Sequence, residues 1–181
     1  EDHEKLLAFG REKNLDIWLQ PKGPETAHAA LPENETKLGL ELSEFNVRIT
    51  FKPTDFTQVN HALNETMVSR AVRLLELTPD MKVADFFCGL GNFTLPIARR
   101  AKRVIGIEGS EGLVARARQG AADNGLAAKT VFRARNLFTW CEADWEELQK
   151  TLGGIDLVLI DPPREGALAL ARVLAKTDKR P

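Results

Sequence analysis

Small and polar residues stand where apolar runs stop in the second half of this 181-residue sequence. The run Val83–Phe86 breaks into Phe87-Cys88-Gly89-Leu90-Gly91-Asn92, and an apolar helical pattern opens at Phe93. A strand feeding a glycine turn and a helix start is how an α/β sheet holds a nucleotide-like ligand at its carboxyl edge. Glycine suits such a turn because backbone passes close to the ligand, or takes positive φ, with no Cβ in the way. A dinucleotide fingerprint would place a third glycine where Thr94 stands, so the loop favours adenosyl-methionine over NAD or FAD. Glu108 follows Gly91 by 17 positions, near the offset of about 20 at which an acid accepts ribose hydroxyls. Asn136, after the third apolar run, offers an amide that could read an adenine edge. Asp161 ends the fourth run, beside Pro162 and Pro163. Any one of these is commonly a cap or turn residue. Their joint placement at consecutive strand ends is what assigns adenosyl-methionine binding.

The elements that must position them are legible from periodicity. Strands are expected at Val83–Phe86, 103–107, 130–132 and 155–160. Helices are expected from Phe93 to Arg100, from a Ser110 cap to Asn124-Gly125, and around Trp140, Trp145 and Leu148 up to Gly153-Gly154. A further helix starts near Asn60, places Leu63, Met67, Ala71, Leu74 and Leu75 at helical spacing, and ends near Pro79. Strands alternating with helices through short connections predict an α/β fold, a parallel Rossmann-like sheet with right-handed crossovers. The nearly continuous apolar run 155–160 reads as a strand covered on both faces. Ahead of this lies a helix over residues 2–14 with Leu6 and Phe9 on one face. A half-buried strand at 15–19, a loop to Glu35 and alternating strands at 38–42 and 47–51 follow. The expected division is a small α+β lobe at 1–52 and an adenosyl-methionine-binding domain at 53–181.

Composition narrows the class. A hydrophobic content of 43% supports a substantial core. A net charge of −1 with pI near 6.4 argues against an all-over basic nucleic-acid binder and leaves RNA contact to a local patch. No run of 18 apolar residues is present and the start, Glu1-Asp2-His3-Glu4-Lys5, carries no apolar signal segment. Two cysteines, Cys88 and Cys141, make neither a disulfide framework nor a four-ligand metal set, so a reduced, cytoplasmic chain without a metal is expected.

Four segments carry a resemblance. Asp55-Phe-Thr-Gln-Val-Asn60, Asp85-Phe-Phe-Cys-Gly-Leu-Gly-Asn-Phe-Thr94, Ile105-Gly-Ile-Glu-Gly109 and Asp161-Pro-Pro-Arg164 resemble the RNA (uracil-5-)-methyltransferase family, in particular the branch acting on 23S ribosomal RNA. The resemblance runs from about residue 5 to the end. It implies a class I adenosyl-methionine-dependent methyltransferase sheet and methylation of uracil C5 in a folded RNA. It also implies cofactor contacts at Gln58, Phe87, Asn92, Glu108, Asn136 and Asp161, and an aromatic, Phe56, beside the flipped target base.

That chemistry needs a thiolate that adds to uracil C6, so that C5 attacks the methylsulfonium, and a base that removes the C5 proton. The family carries its nucleophilic cysteine on a Ser-Cys-Asn-Pro segment that is absent here, so the nucleophile is expected beyond Pro181 and no catalytic residue within the chain. Cys88 sits in the cofactor turn and Cys141 has no basic neighbour in sequence; both read as structural. The family's amino-terminal RNA-binding barrel and four-cysteine iron–sulfur site are also absent, so a 4Fe-4S cluster is expected only in a longer parent. The chain thus reads as a central fragment that binds cofactor without turnover. The strand at 155–160 would then be an exposed edge that invites self-association. Other readings are a transfer-RNA uracil methyltransferase, a non-catalytic adenosyl-methionine- or RNA-binding module, and an exocyclic-amine methyltransferase. Against the last, Arg164 stands where an aromatic would be needed.

Overall fold

The computed structural model of the chain describes residues 2–31 and 38–177. Positions 32–35 of the expected loop, and Lys179 to Pro181, lie outside the described residues. The chain divides into two compact units, Glu1–Gly39 with Thr50–Gln58, and Leu40–Ile49 with Val59–Pro181.

In the first unit, helix α1 (Asp2–Lys13) ends on Asn14, whose φ of 53° is a left-handed stop. Strands β1 (Trp18–Leu19) and β2 (His28–Ala29) pair antiparallel, so part of the expected loop is a strand. The expected apolar face of α1 is not buried: Leu6 and Phe9 are 37% and 49% exposed, and Gly10 is the buried residue. A Cβ at Gly10 would lie 2.8 Å from Ile17 Cδ1, so the glycine is what lets Ile17 pack on the helix.

The second unit holds a four-stranded parallel sheet in the order β7-β6-β5-β8. Its strands are β5 (Lys82–Phe86), β6 (Arg103–Glu108), β7 (Thr130–Ala134) and β8 (Leu157–Ile160). Helices α3 (Thr94–Arg100), α4 (Glu111–Asp123), α5 (Glu142–Leu152) and α6 (Leu168–Lys176) cross over between and after them, as the alternating pattern predicts. Residue alternation sorts the two faces. Ala84, Phe86, Ile105 and Ile107 join Trp140, Trp145, Leu148, Leu152, Leu170 and Val173 in one core, with Phe86 and Trp140 edge to face at 5.2 Å. The other face carries Val83, Asp85, Val104 and Gly106, all buried. Apolar residues on both faces make a parallel sheet buried on both sides.

Two expectations are corrected here. Helix α2 (His61–Leu74), capped by Asn60 through a 3.0 Å bond from Leu63 N–H, buries Asn64, Val68, Ser69 and Val72, while Leu63 and Leu74 are 62% and 73% exposed. The helical period was legible, but the buried stripe lies one residue round the helix, because Asn64 is held by a polar partner described below. Strand β8 is not covered on both faces: it begins at Leu157, its residues are half-buried, and Ile160 is 37% exposed. Among the described residues it pairs only with β5, so it forms an open edge of the sheet.

A hairpin of β3 (Gly39–Leu42) and β4 (Val47–Thr50) buries Leu40, Leu42, Val47 and Ile49 by strict alternation. Although these strands lie ahead of residue 52, residues 40–49 pack with the second unit. The Asn124 amide accepts from Arg48 N–H (2.9 Å) and donates to the Arg48 and Gly120 carbonyls (2.7 Å each). Arg99 donates to the carbonyls of Phe45 (3.1 Å) and Asn46 (2.7 Å). Asn124→Ala is therefore expected to destabilise the chain by about 2 kcal/mol, since each lost bond contributes roughly 1 kcal/mol or less where solvent can substitute. A shift of the urea midpoint with unchanged slope checks this.

Candidate nucleoside site at the carboxyl edge

The chain runs β5 to β6 to β7 in one direction and then places β8 on the far side of β5. Ligands in open α/β sheets lie outside the carboxyl ends of the strands at such a reversal. A cleft of about 390 Å³ opens there, lined by Phe87, Glu108, Asn136, Leu137, Phe138 and Pro163, with Gly109 between.

The turn after β5 is shaped by three positive φ values, 64° at Phe87, 54° at Gly89 and 93° at Gly91. Phe87 holds a conformation that costs a non-glycine residue roughly 1–3 kcal/mol, a strain characteristic of functional loops. Its ring meets Phe138 edge to face at 6.0 Å, and the two make an apolar wall. A Cβ built on Gly89 or Gly109 meets nothing within 4 Å, so backbone at both glycines borders open space that a planar ligand can approach.

Glu108 joins the two loops. One carboxylate oxygen accepts from Gly89 N–H at 3.1 Å, and the other from Gly109 (2.8 Å) and Ser110 (3.2 Å). A carboxylate offers about four acceptor positions, so it retains capacity for a hydroxyl donor while fixing the glycine turn. Asn136, beyond β7, accepts from Phe138 N–H at 2.9 Å, which leaves its amide NH₂ to face a ligand acceptor.

Behind this surface is Asp85, 0% exposed, whose Oδ2 accepts from the Thr94 hydroxyl at 2.5 Å. Its Oδ1 is buried with no hydrogen-bond partner among the described residues. Burial pushes the Asp85 carboxyl up to about 7, the Thr94 bond opposes this, and the negative charges of Asp161 and Glu108 push the same way as burial. Burial likewise raises the Cys88 thiol well above its ordinary value, with Asp85 and Glu108 adding to it. Cys88 packs on the strand: a Cβ at Gly106 would lie 2.8 Å from its sulfur. Cys141 is exposed and caps α5, with its N–H and sulfur on Asp144 at 3.0 and 3.1 Å. A neutral packing thiol and a helix cap are what the two sites provide.

The structure thus brings Phe87, Glu108 and Asn136 together on one cleft. Asp161 follows β8, exposed, with its N–H on the Phe86 carbonyl at 3.4 Å. Asn92 does not line the cleft: its amide pairs reciprocally with that of Asn64 at 2.9 and 3.0 Å, tying the turn to α2. Gln58 and Phe56 belong to the first unit, where both are exposed, Phe56 by 85%. Sequence reasoning missed Leu137, Phe138 and Pro163 as cleft walls. The available signal was an aromatic two residues past the Asn136 strand end, in a turn where nothing requires one. A larger cavity of about 530 Å³, lined by Glu41, Arg48, Arg99, Asp123 and Asn124 among others, lies where α3 and α4 end. That is the opposite edge of the sheet, and Arg99 and Asn124 are engaged there in holding the hairpin. Among the described residues no group of three His, Cys, Asp or Glu side chains could hold a metal ion, and no helix is long and apolar enough to cross a membrane.

A family model described as tRNA (Uracil-5-)-methyltransferase matches residues 4–176. A protein of Ralstonia pickettii named 23S rRNA (uracil(1939)-C(5))-methyltransferase RlmD is 51% identical over 176 residues, covering 97% of this chain and 38% of that protein. A protein of Burkholderia cenocepacia with the same name is 49% identical over 176 residues, 97% of this chain and 37% of its own length. The chain thus spans well under half the length of these curated relatives. Among solved structures, the Pyrococcus abyssi tRNA (uracil-54, C5)-methyltransferase in complex with S-adenosyl-L-homocysteine matches with a TM-score of 0.61 at 22% identity, over 81% of this chain and 32% of that one. Methanocaldococcus jannaschii Trm5 in complex with adenosine matches with a TM-score of 0.56 at 15% identity, over 82% of this chain and 41% of that one. At these identities the likeness shows a shared fold, the Rossmann-like sheet of methyltransferases.

Proposed function

The chain belongs to the tRNA (uracil-5-)-methyltransferase family, and from that premise we propose that it is the cofactor-holding part of an enzyme that methylates uracil C5 in 23S ribosomal RNA. The observation that carries this reading is the convergence of Phe87, Glu108 and Asn136 on one cleft at the carboxyl edge. Adenosyl-methionine, when bound, supplies an electrophilic methyl group. Phe87 and Phe138 offer apolar surface to its base, Asn136 an amide to the base edge, and Glu108 a carboxylate to the ribose. Asp161 adds negative charge toward the sulfonium end. Asn92 acts by fixing the turn through Asn64, and the family resemblance assigns Gln58 a cofactor contact and Phe56 a place beside the target base. The preference for ribosomal over transfer RNA follows the names of the relatives near 50% identity.

Neither cysteine described above is suited to attack uracil C6. The nucleophile therefore belongs to a part of the relatives' length that this chain does not cover, and the chain alone binds without turnover. A small lobe ahead of a cofactor domain, with residues 40–49 packed in the latter, and a cytoplasmic location go with the same reading. The open β8 edge further leads us to propose self-association of this chain; a monodisperse monomer in sedimentation would count against it.

The test of the activity is transfer of labelled methyl groups from adenosyl-methionine to 23S and transfer RNA by the full reading frame that encodes this chain. Label recovered as 5-methyluridine in 23S RNA is expected. The same nucleoside in transfer RNA alone would replace the substrate, and label on an exocyclic amine would overturn the reaction.

A further inference from the structure

We propose that Asp85 is a positioning residue that makes the cleft discriminate by charge: its buried carboxyl gives up a proton when a cationic sulfonium ligand enters and takes one back when the neutral thioether product remains. The proposal rests on the adenosyl-methionine reading above and deepens it. No bond to carbon is made or broken by Asp85. One proton passes to solvent as the ligand's positive charge arrives, and one returns from solvent after that charge has left with the methyl group.

Several independent observations support it. Asp85 is wholly buried, yet among the described residues its Oδ1 has no hydrogen-bond partner, an arrangement that costs free energy unless something compensates it. Among the described residues the groups that act on it carry no positive charge: the Thr94 hydroxyl from α3, Cys88 from the turn, Glu108 from the end of β6 and Asp161 after β8. Among the described residues no ion pair involves Asp85, Glu108 or Asp161. Glu108 is committed to three backbone N–H groups and Asp161 is exposed, whereas Asp85 is wholly buried, so its charge is the least screened of the three. Its ordinary ionisation is delayed to about neutral pH by burial first, and by Asp161 and Glu108 as well. A cation arriving among these carboxyls reverses the balance and draws the proton off. Loss of that cation restores it, which weakens the hold on the demethylated product.

The experiment is a carbon-13 titration of the Asp85 carboxyl in the 181-residue chain, alone, with adenosyl-methionine and with adenosyl-homocysteine. Dissociation constants are measured in parallel at pH 6 and pH 8 for wild type and Asp85→Asn. The free chain is expected to titrate near neutrality, and adenosyl-methionine to lower that midpoint by about one pH unit or more, corresponding to an affinity gain of about tenfold across the range. Adenosyl-homocysteine is expected to move it little, and Asp85→Asn to remove the affinity gain. Saturable adenosyl-methionine binding with an unmoved Asp85 midpoint would overturn the proposal and leave the cofactor reading intact. A folded chain that binds no adenosyl-methionine would overturn both. The wild-type titration decides even where the variant fails to fold.

Discussion

Glu108→Ala is expected to weaken adenosyl-methionine binding by about 100-fold. The carboxylate does two things at once. It holds the Gly89 N–H and the Gly109–Ser110 backbone in one arrangement, and it keeps acceptor capacity for a ribose hydroxyl. Hydrogen bonds to a charged group contribute roughly 1.5–3 kcal/mol each. Loss of one ribose contact together with relaxation of the turn therefore amounts to about 3 kcal/mol, or some two orders of magnitude in Kd. Glu108→Gln keeps the shape and one acceptor and is expected to fall between, near tenfold. Calorimetric titration of the three chains checks the order. Equal affinity in all of them would show that the ligand does not use the end of β6.

Asp85→Asn is expected to make the chain more stable at pH 8 while making it a poorer binder of a cation. An acid whose folded value lies near 7, above its ordinary 3.8, favours the folded state while it is protonated. That contribution is complete below about pH 4 and is lost as pH rises through 7. By pH 8 the difference corresponds to about 4 kcal/mol, at 1.36 kcal/mol for each unit between the two values. Asparagine, which cannot ionise, escapes this. The stability difference between variant and wild type should therefore grow with pH from 4 to 8, read from urea unfolding at several pH values. A difference that stays constant would mean that Asp85 ionises normally in the folded chain. A site that destabilises its own fold at working pH is the usual form of a trade between stability and function.

Much of this was legible because glycine, chain-end polarity and strand patterning obey local rules. Val83–Phe86 followed by Gly89 and Gly91 has few other ways to fold, and Glu108 and Asn136, which line the cleft, stand out in the sequence as polar residues that end apolar runs. Ser110 showed itself as a cap and accepts the expected N–H from Leu113, and Asn60, where the helical pattern starts, does the same for Leu63. What failed was tertiary. On α2 the apolar stripe Leu63-Met67-Leu74 was the natural choice for the buried face. The structure instead turns Asn64 inward, because an amide pair with Asn92 satisfies it. No local rule sees a partner 28 residues away. For the same reason no local rule shows that the Asn92 amide pairs with Asn64. The apolar run at 155–160 looked like a strand buried on both faces, and being on the sheet's edge leaves it half-covered. Phe138 and Pro163 became visible only when the ends of β5, β7 and β8 were brought side by side.

The most direct test of the central claim, that the carboxyl edge of this sheet holds the cofactor, is amide chemical-shift mapping of the folded chain with adenosyl-methionine. Saturable shifts are expected at Phe87–Gly91, Glu108–Ser110 and Asn136–Phe138. Shifts centred instead on Arg48, Arg99 and Asn124 at the opposite edge, or none at saturating ligand, would contradict it.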